Sequence, residues 1–261
     1  MENVFITGAS SGIGAALAQV YAARGATLAL VARRQAQLEQ LRRSLPNPQR
    51  HHIYALDVTD HAALTQAAAD FLQQVGTVHT VIANAGISVG TLTECEGDLP
   101  VFERVLQTNL IATAATFAPF IPAMKTCARE QPCRLVGIAS VAGIRGLPGA
   151  EAYSASKAAV ISYCESLRVE LRSSGIRVVT IAPGYIDTPM TQVNTYPMPF
   201  LMPVSDFARK AVQTIDAGRS YRVIPWQMGV VAKILRLLPD WLYDRVFSRA
   251  PHKARTPGHD Q

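Results

Sequence analysis

Charge is scarce in this sequence: Asp, Glu, Lys and Arg make up 17% of the 261 residues, against 49% hydrophobic. Mean hydropathy is +0.13. Such a composition excludes a disordered or fibrous chain, and the length suffices for a sizeable buried core. Cysteine is scarcer still. Cys95, Cys127, Cys133 and Cys164 show no C-x-x-C spacing, and the six histidines form no pair at metal-ligand spacing. The expectation is reduced, structural cysteines and no metal site. His51 and His52, at a strand start, and His252 and His259, near the C-terminus, read as surface residues. Met1-Glu2-Asn3 runs straight into Val4-Phe5-Ile6 without a cationic leader, and no 18-residue stretch is continuously apolar. A cytoplasmic protein that does not span a membrane is therefore expected.

What charge there is lies unevenly. Lys and Arg number 25 against 19 Asp and Glu, a net of +6. Residues 228–261 hold six basic side chains (Lys233, Arg236, Arg245, Arg249, Lys253, Arg255) and three acids (Asp240, Asp244, Asp260), half of the surplus. A basic end of this kind suits phosphates, an anionic membrane or plain solvent. No nucleic-acid partner is expected.

Apolar runs alternate with helix-like stretches, the pattern of βαβ units in a parallel sheet. Strands are expected at Val4–Thr7, Thr27–Ala32, Ile53–Leu56, Val78–Ala83, Arg134–Ala139, Arg177–Ala182 and Tyr221–Ile224. Each run is continuously apolar, as strands covered on both faces require. The fold class is α/β: a doubly wound, seven-stranded parallel sheet with helices on both faces. Residues 1–225 form that domain, 226–250 an amphipathic helical extension of it, and 251–261 a flexible tail. Closely spaced Pro189, Pro197, Pro199 and Pro203, with three methionines, make 185–204 a long apolar loop over the cleft. From Met228 to Phe247 the apolar residues cluster within an arc of roughly 160°, with Pro239 bending or breaking the helix. Three readings stay open for this segment: packing on the chain's own cleft or sheet edge, contact between copies, or lying in a membrane interface. In the last, Trp241 and Phe247 insert and Arg245, Arg249 and Lys253 meet lipid phosphates at the membrane's inner face.

After the first strand comes Thr7-Gly8-Ala9-Ser10-Ser11-Gly12-Ile13-Gly14, opening a helix. Glycines let a backbone turn tightly and approach a pyrophosphate, while the helix start offers free N–H groups and partial positive charge. The spacing is T-G-x-x-x-G-x-G, since Leu17 occupies the third glycine position of the commoner G-x-G-x-x-G. An ordinary turn capped by Ser10 or Ser11 would not need three glycines. With this motif the chain resembles the short-chain dehydrogenase/reductase family in its single-domain form, from Val4 to about Ile224.

The second strand ends in Arg33-Arg34, where NAD-binding units carry an acid for the ribose 2′-hydroxyl. A guanidinium there suits a 2′-phosphate, so NADP(H) is the expected cofactor, with Ser10 joining the phosphate site. Ser11 stands where some NADP-dependent relatives have a basic residue. The resemblance further implies Asp57 and Val58 at the adenine and Asn84-Ala85-Gly86 at the adenosine ribose and sheet edge. Ala83 replaces the usual preceding Asn.

Tyr153-Ser154-Ala155-Ser156-Lys157 puts a phenol and an ammonium on one helix face. A free phenol has a pKa near 10, about three units too high for easy proton exchange at neutral pH; a lysine cation nearby, helped by a positive oxidised nicotinamide, supplies that lowering. Ser140, at the carboxyl end of the fifth strand, is placed to hydrogen-bond a substrate oxygen. The resemblance makes Asn109 the fourth member of an Asn–Ser–Tyr–Lys set, holding a water that links the lysine to solvent. It also places Pro183, Gly184, Ile186 and Thr188 at the nicotinamide, and Tyr153 and Lys157 at its ribose. The expected reaction interconverts a carbonyl and an alcohol on a hydrophobic small molecule, in a homodimer or homotetramer formed through the long helices around Asn109 and Tyr153. A redox-sensing NADP(H)-binding protein without turnover, and an epimerase or lyase, are the alternatives.

Overall fold

A computed structural model describes residues 2–248. Its central sheet contains β1 (Asn3–Thr7), β2 (Thr27–Ala32), β3 (His52–Ala55), β4 (Thr80–Ala83), β5 (Arg134–Ile138), β6 (Arg177–Pro183) and β9 (Tyr221–Ile224). Their order is β3-β2-β1-β4-β5-β6-β9, and every pair is parallel. This is the expected doubly wound sheet, with boundaries shifted by one or two residues. β7 (Ile186–Asp187) and β8 (Met202–Pro203) pair separately.

The inner strands are apolar over most of their length because alternate residues serve opposite layers. Val4, Ile6, Leu28 and Leu30 enter one core with Leu17 and Tyr21 of α1 (Gly12–Ala23) and Phe207 of α9 (Val204–Asp216). Phe5, Ala29 and Val31 enter the other, with Phe71 of α3 (His61–Val75) and Val160 of α7 (Glu151–Glu170). A fully buried aliphatic or aromatic side chain contributes about 1.5–3 kcal/mol, so two such layers hold the sheet from both sides. The second chain segment, α2 (Gln35–Ser44), flanks β2 and β3. Cys133 and Cys164 are buried thiols within the second core.

His51, expected at the surface, is buried: its Nε2 lies 2.9 Å from the Pro46 carbonyl oxygen. Burial holds its imidazole below the ordinary range. The neighbouring His52 is half-buried, edge-on to Phe71.

Between β4 and β5 runs a helical stretch, Glu96–Cys127, in which an 18-residue window has a mean hydropathy of 1.3, long and apolar enough to cross a membrane by length and composition. It is not continuously apolar, since Arg104, Gln107 and Asn109 interrupt it. It comprises α4 (Leu99–Leu106), a π-helical turn (Gln107–Ile111), α5 (Ala112–Phe117) and α6 (Ile121–Cys127). In this fold α4 packs on α7, and α5 on β4 and α3.

The apolar loop expected over 185–204 is more ordered than its prolines suggested. Pro189 starts the short α8 (Pro189–Gln192), where its missing N–H is harmless, and Thr188 and Thr191 cap it reciprocally. Pro239 does break the amphipathic segment, into α10 (Trp226–Leu237) and α11 (Asp240–Phe247). The tail expected over 251–261, with His252 and His259, lies outside the described residues.

Candidate active site

The strand order reverses between β1 and β4, opening a crevice at the carboxyl ends of both. A cleft of about 630 Å³ begins there. Gly8 and Gly12 adopt φ of +67° and +55°, conformations that glycine takes without steric cost. A Cβ on Gly14 would stand 2.2 Å from the Gly8 carbonyl oxygen, so only glycine lets the turn and the first turn of α1 touch. Ser11 occupies the N-cap position of α1 but its side chain makes no capping bond. Its Oγ, like that of Ser10, accepts instead from the Arg34 guanidinium, at 2.9 and 3.0 Å. The capped-turn alternative therefore fails, and the N–H groups opening α1 are left for something else.

Asn84 ties the two turns together. Its Nδ2 donates to the Thr7 and Gly8 carbonyl oxygens at 3.0 and 3.2 Å, while the Thr7 hydroxyl accepts from the Asn84 and Ala85 N–H groups. Across the cleft mouth Arg33 extends to 3.8 Å from Asp57, mostly exposed. Burial opposes charge on Asp57, yet hydrogen bonds from Thr59 and the Arg33 guanidinium hold its carboxyl below the usual range.

At the other end α7 presents Tyr153 and Lys157. The Tyr153 hydroxyl is hydrogen-bonded to Ser140, whose Oγ also accepts from the Ala142 N–H at 3.2 Å. Lys157 is buried, and its Nζ donates to the Ile138 carbonyl oxygen at 2.8 Å while lying 5.9 Å from the centre of the Tyr153 ring. Gly143, in the turn after Ser140, lies so close to α7 that a Cβ would stand 2.6 Å from the Lys157 carbonyl carbon. Pro183, Gly184, Ile186 and Thr188 line the cleft opposite, with Ile13, Val58, Ala85 and Gly86 along its length.

Comparison with known proteins agrees with this arrangement. A family model for short chain dehydrogenase matches residues 2–197. The chain belongs to the short-chain dehydrogenase family. An uncharacterized oxidoreductase of Myxococcus xanthus is 38% identical, over 95% of this chain and 97% of that protein. A sulfoacetaldehyde reductase of Chromohalobacter salexigens is 34% identical, over 74% of this chain and 76% of that protein. Among solved structures, 3-ketoacyl-(acyl-carrier-protein) reductase from Brucella melitensis, complexed with NADH, is similar with a TM-score of 0.79. It is 26% identical, over 85% of this chain and 96% of that one.

Two residues of this short-chain dehydrogenase stand behind the cleft wall rather than in it: Gly14 and Asn109. Asn109 sits in the π-helical turn, fully buried. Its Oδ1 accepts from the Ile87 N–H at 2.8 Å, and its Nδ2 donates to the Ile87 carbonyl oxygen at 3.0 Å and to Ser156 Oγ at 2.9 Å. Ser156 in turn donates to the Tyr153 carbonyl oxygen at 2.8 Å. The side chain thus clamps the segment after Gly86 to the helix that carries Tyr153 and Lys157. Sequence reasoning missed Ile87 and Ser156 as its partners; the adjacency of Ser156 to Lys157 was the available signal.

Burial raises the Tyr153 phenol above its ordinary value, with the Ser140 hydrogen bond pulling the other way. Burial lowers Lys157 to about 8, opposed only by Cys164. The expected lowering joins the lysine to a positive nicotinamide; among the protein's own groups burial dominates, and Nζ donates to the Ile138 carbonyl oxygen. Two further aromatics that the sequence reading did not single out, Tyr185 and Tyr196, meet edge-on at 6.4 Å. Burial raises the Tyr196 phenol, with smaller contributions from Tyr185 and Tyr153.

Replacing Asn109 by Ala leaves the Ile87 amide and carbonyl without their buried partner. An Asn109→Ala protein should lose about 2–4 kcal/mol in urea unfolding; an unchanged midpoint would mean that the clamp carries no stability.

Proposed function

We infer that this short-chain dehydrogenase is an NADP(H)-dependent oxidoreductase that interconverts a carbonyl and an alcohol. The observation that carries this reading is the Tyr153–Ser140 hydrogen bond beside Lys157, inside the same cleft into which the glycine turn opens. The residues present fit a dinucleotide. A glycine turn that excludes any Cβ leads to the uncapped start of α1. Arg34, held against Ser10 and Ser11, and the neighbouring Arg33 put two guanidinia and two hydroxyls where a 2′-phosphate would need them. Asp57 and Val58 suit the adenine, Ala85 and Gly86 its ribose, and Ile186 and Thr188 the nicotinamide side.

When bound, NADPH supplies hydride to the carbonyl carbon. Ser140 and Tyr153 hold the carbonyl oxygen, and the Tyr153 hydroxyl gives its proton to that oxygen as negative charge develops there. A phenol raised by burial is protonated at neutral pH, which suits the reducing direction. Lys157, buried beside the Tyr153 ring, would hold the nicotinamide ribose. Asn109 keeps these groups in place through Ile87 and Ser156. Tyr185, Tyr196 and Met190 make the covering segment apolar, which favours a hydrophobic substrate over a polar one. Exposed Leu99, Ile111 and Val169 on the long helices support contact between copies.

A panel of aliphatic and aromatic aldehydes and ketones tests this reading by loss of NADPH absorbance. Tyr153→Phe should lower kcat by about 10²–10⁴ while NADPH fluorescence titration still shows binding; turnover surviving the substitution would remove Tyr153 from its role.

Cofactor choice has a separate test. Arg33→Ala with Arg34→Ala should raise the KM for NADPH about 10²-fold or more through the lost charge-assisted bonds, with little effect on NADH. Equal losses with both cofactors would place the 2′-phosphate elsewhere.

A third test uses pH. Lys157 carries its charge below about 8 and loses it above. Reduction rates should therefore be level on the acid side and fall as pH rises through that value, and Lys157→Arg should move or abolish the fall.

A further inference from the structure

The chain has two tryptophans, Trp226 and Trp241. Both lie on the C-terminal helix pair, 62% and 68% exposed. Between them Val230, Ile234 and Leu237 are also exposed, Leu237 at 82%. At about 100° per residue, Trp226, Val230, Ile234 and Leu237 fall within roughly 80° on one side of α10. Met228 and Ala232, on the other side, are the residues that α10 buries. The expected amphipathic face therefore exists, but part of its apolar surface is turned outward rather than into the protein.

We propose that this face docks on an anionic lipid surface. Charge separates the candidates for its occupant. Lys233 borders the stripe and Arg236 lies about 80° from its edge, while on α11 exposed Arg245 stands with exposed Asp240 and Asp244, so the helix pair is net positive by one. A two-fold contact between copies would bring two net-positive surfaces together. Lipid phosphates complement such a surface, and tryptophan suits the boundary between headgroups and acyl chains. Residues 249–261 contain no large apolar side chain that would cover the stripe, and they add Arg249, Lys253 and Arg255 against Asp260.

The helix pair is fixed to the protein near its substrate end. The Arg145 guanidinium stacks 4.2 Å from the centre of the Tyr243 ring, donates to Asp240 Oδ1 at 2.9 Å, and reaches the Arg236 carbonyl oxygen at 3.3 Å. Tyr243 donates in return to the Gly146 carbonyl oxygen. Arg145 and Gly146 belong to the loop between Ser140 and Tyr153. A bilayer holding α10 thus lies next to the segment that frames the reacting groups. The docking does not depend on the cofactor reading and is measured without turnover.

The test uses the full chain with vesicles of phosphatidylcholine alone or mixed with phosphatidylglycerol, followed by co-sedimentation and tryptophan emission. Because both tryptophans are exposed on the C-terminal helix pair and Trp226 is on the stripe, emission reports its occupancy. Binding and a shift to shorter wavelength are expected with the mixed vesicles, weaker in high salt and far weaker with phosphatidylcholine alone. Leu237→Asp, at a site with almost no packing, should weaken binding about tenfold or more while NADPH fluorescence titration stays unchanged. Absence of binding to either vesicle, or full binding by Leu237→Asp, overturns the proposal. So does emission already shifted to short wavelength in vesicle-free solution with Leu237→Asp dissociating a dimer, which would assign the face to a second copy.

Discussion

Two loops leave the sheet side by side where β1 and β4 end, and the gap between them is set by a handful of backbone contacts. Asn84 donates to two carbonyl oxygens of the first loop while Thr7 accepts from two N–H groups of the second. Gly14 rests against the Gly8 carbonyl at a distance no side chain would allow. This junction aims the start of α1 into the crevice, and everything downstream is registered to it through the parallel pairing of β4, β5 and β6. β5 delivers Ser140, and the close approach of Gly143 to α7 sets Ser140 against Tyr153. A displaced first turn would therefore misplace the start of α1 and the Ser140–Tyr153 pair together.

Burial acts on the two titrating groups of α7 in opposite directions. It raises the phenol of Tyr153 and lowers the ammonium of Lys157, favouring the neutral form of each. Neither is abandoned by hydrogen bonds: Ser140 holds the phenol and the Ile138 carbonyl holds the ammonium. The same economy governs Asn109, whose amide is satisfied by Ile87 and Ser156 in a fully buried position. A buried polar network completed in this way fixes geometry, since each partner has one arrangement that leaves no group unmet. The site is thus pre-organised in part by Asn109 and Ser156, which stand behind the cleft wall.

The sheet was legible because strands covered on both faces read as unbroken apolar runs, and the order of glycines, arginines and Y-x-x-x-K follows from local spacing. What escaped the sequence depends on partners distant in the chain. The π-helical turn around Asn109 exists where the helix accommodates a clamp on Ile87, twenty-two positions earlier; no propensity of Gln107–Ile111 announces it. The paired β7 and β8 enclose two residues each, too short for any periodic signal. His51 is buried through a contact with Pro46 that polarity alone would not suggest. Spacing of i, i+4 brings Lys157 near the Tyr153 ring, but it does not say that Nζ is turned to the Ile138 carbonyl.

Arg145 shows how an extension beyond the sheet becomes part of the site's frame. A surface ion pair with Asp240 alone would contribute little, since Asp240 is largely exposed. Arg145 itself is mostly buried, stacked on Tyr243 and bonded to a backbone carbonyl, so its contacts are held by packing as well as by charge. The same interaction ties α10 and α11 to the loop leading into Tyr153. The outward apolar stripe is consequently joined, through Arg145, to the loop that runs from Ser140 to Tyr153, and a force applied to α10 has a short mechanical path to that loop.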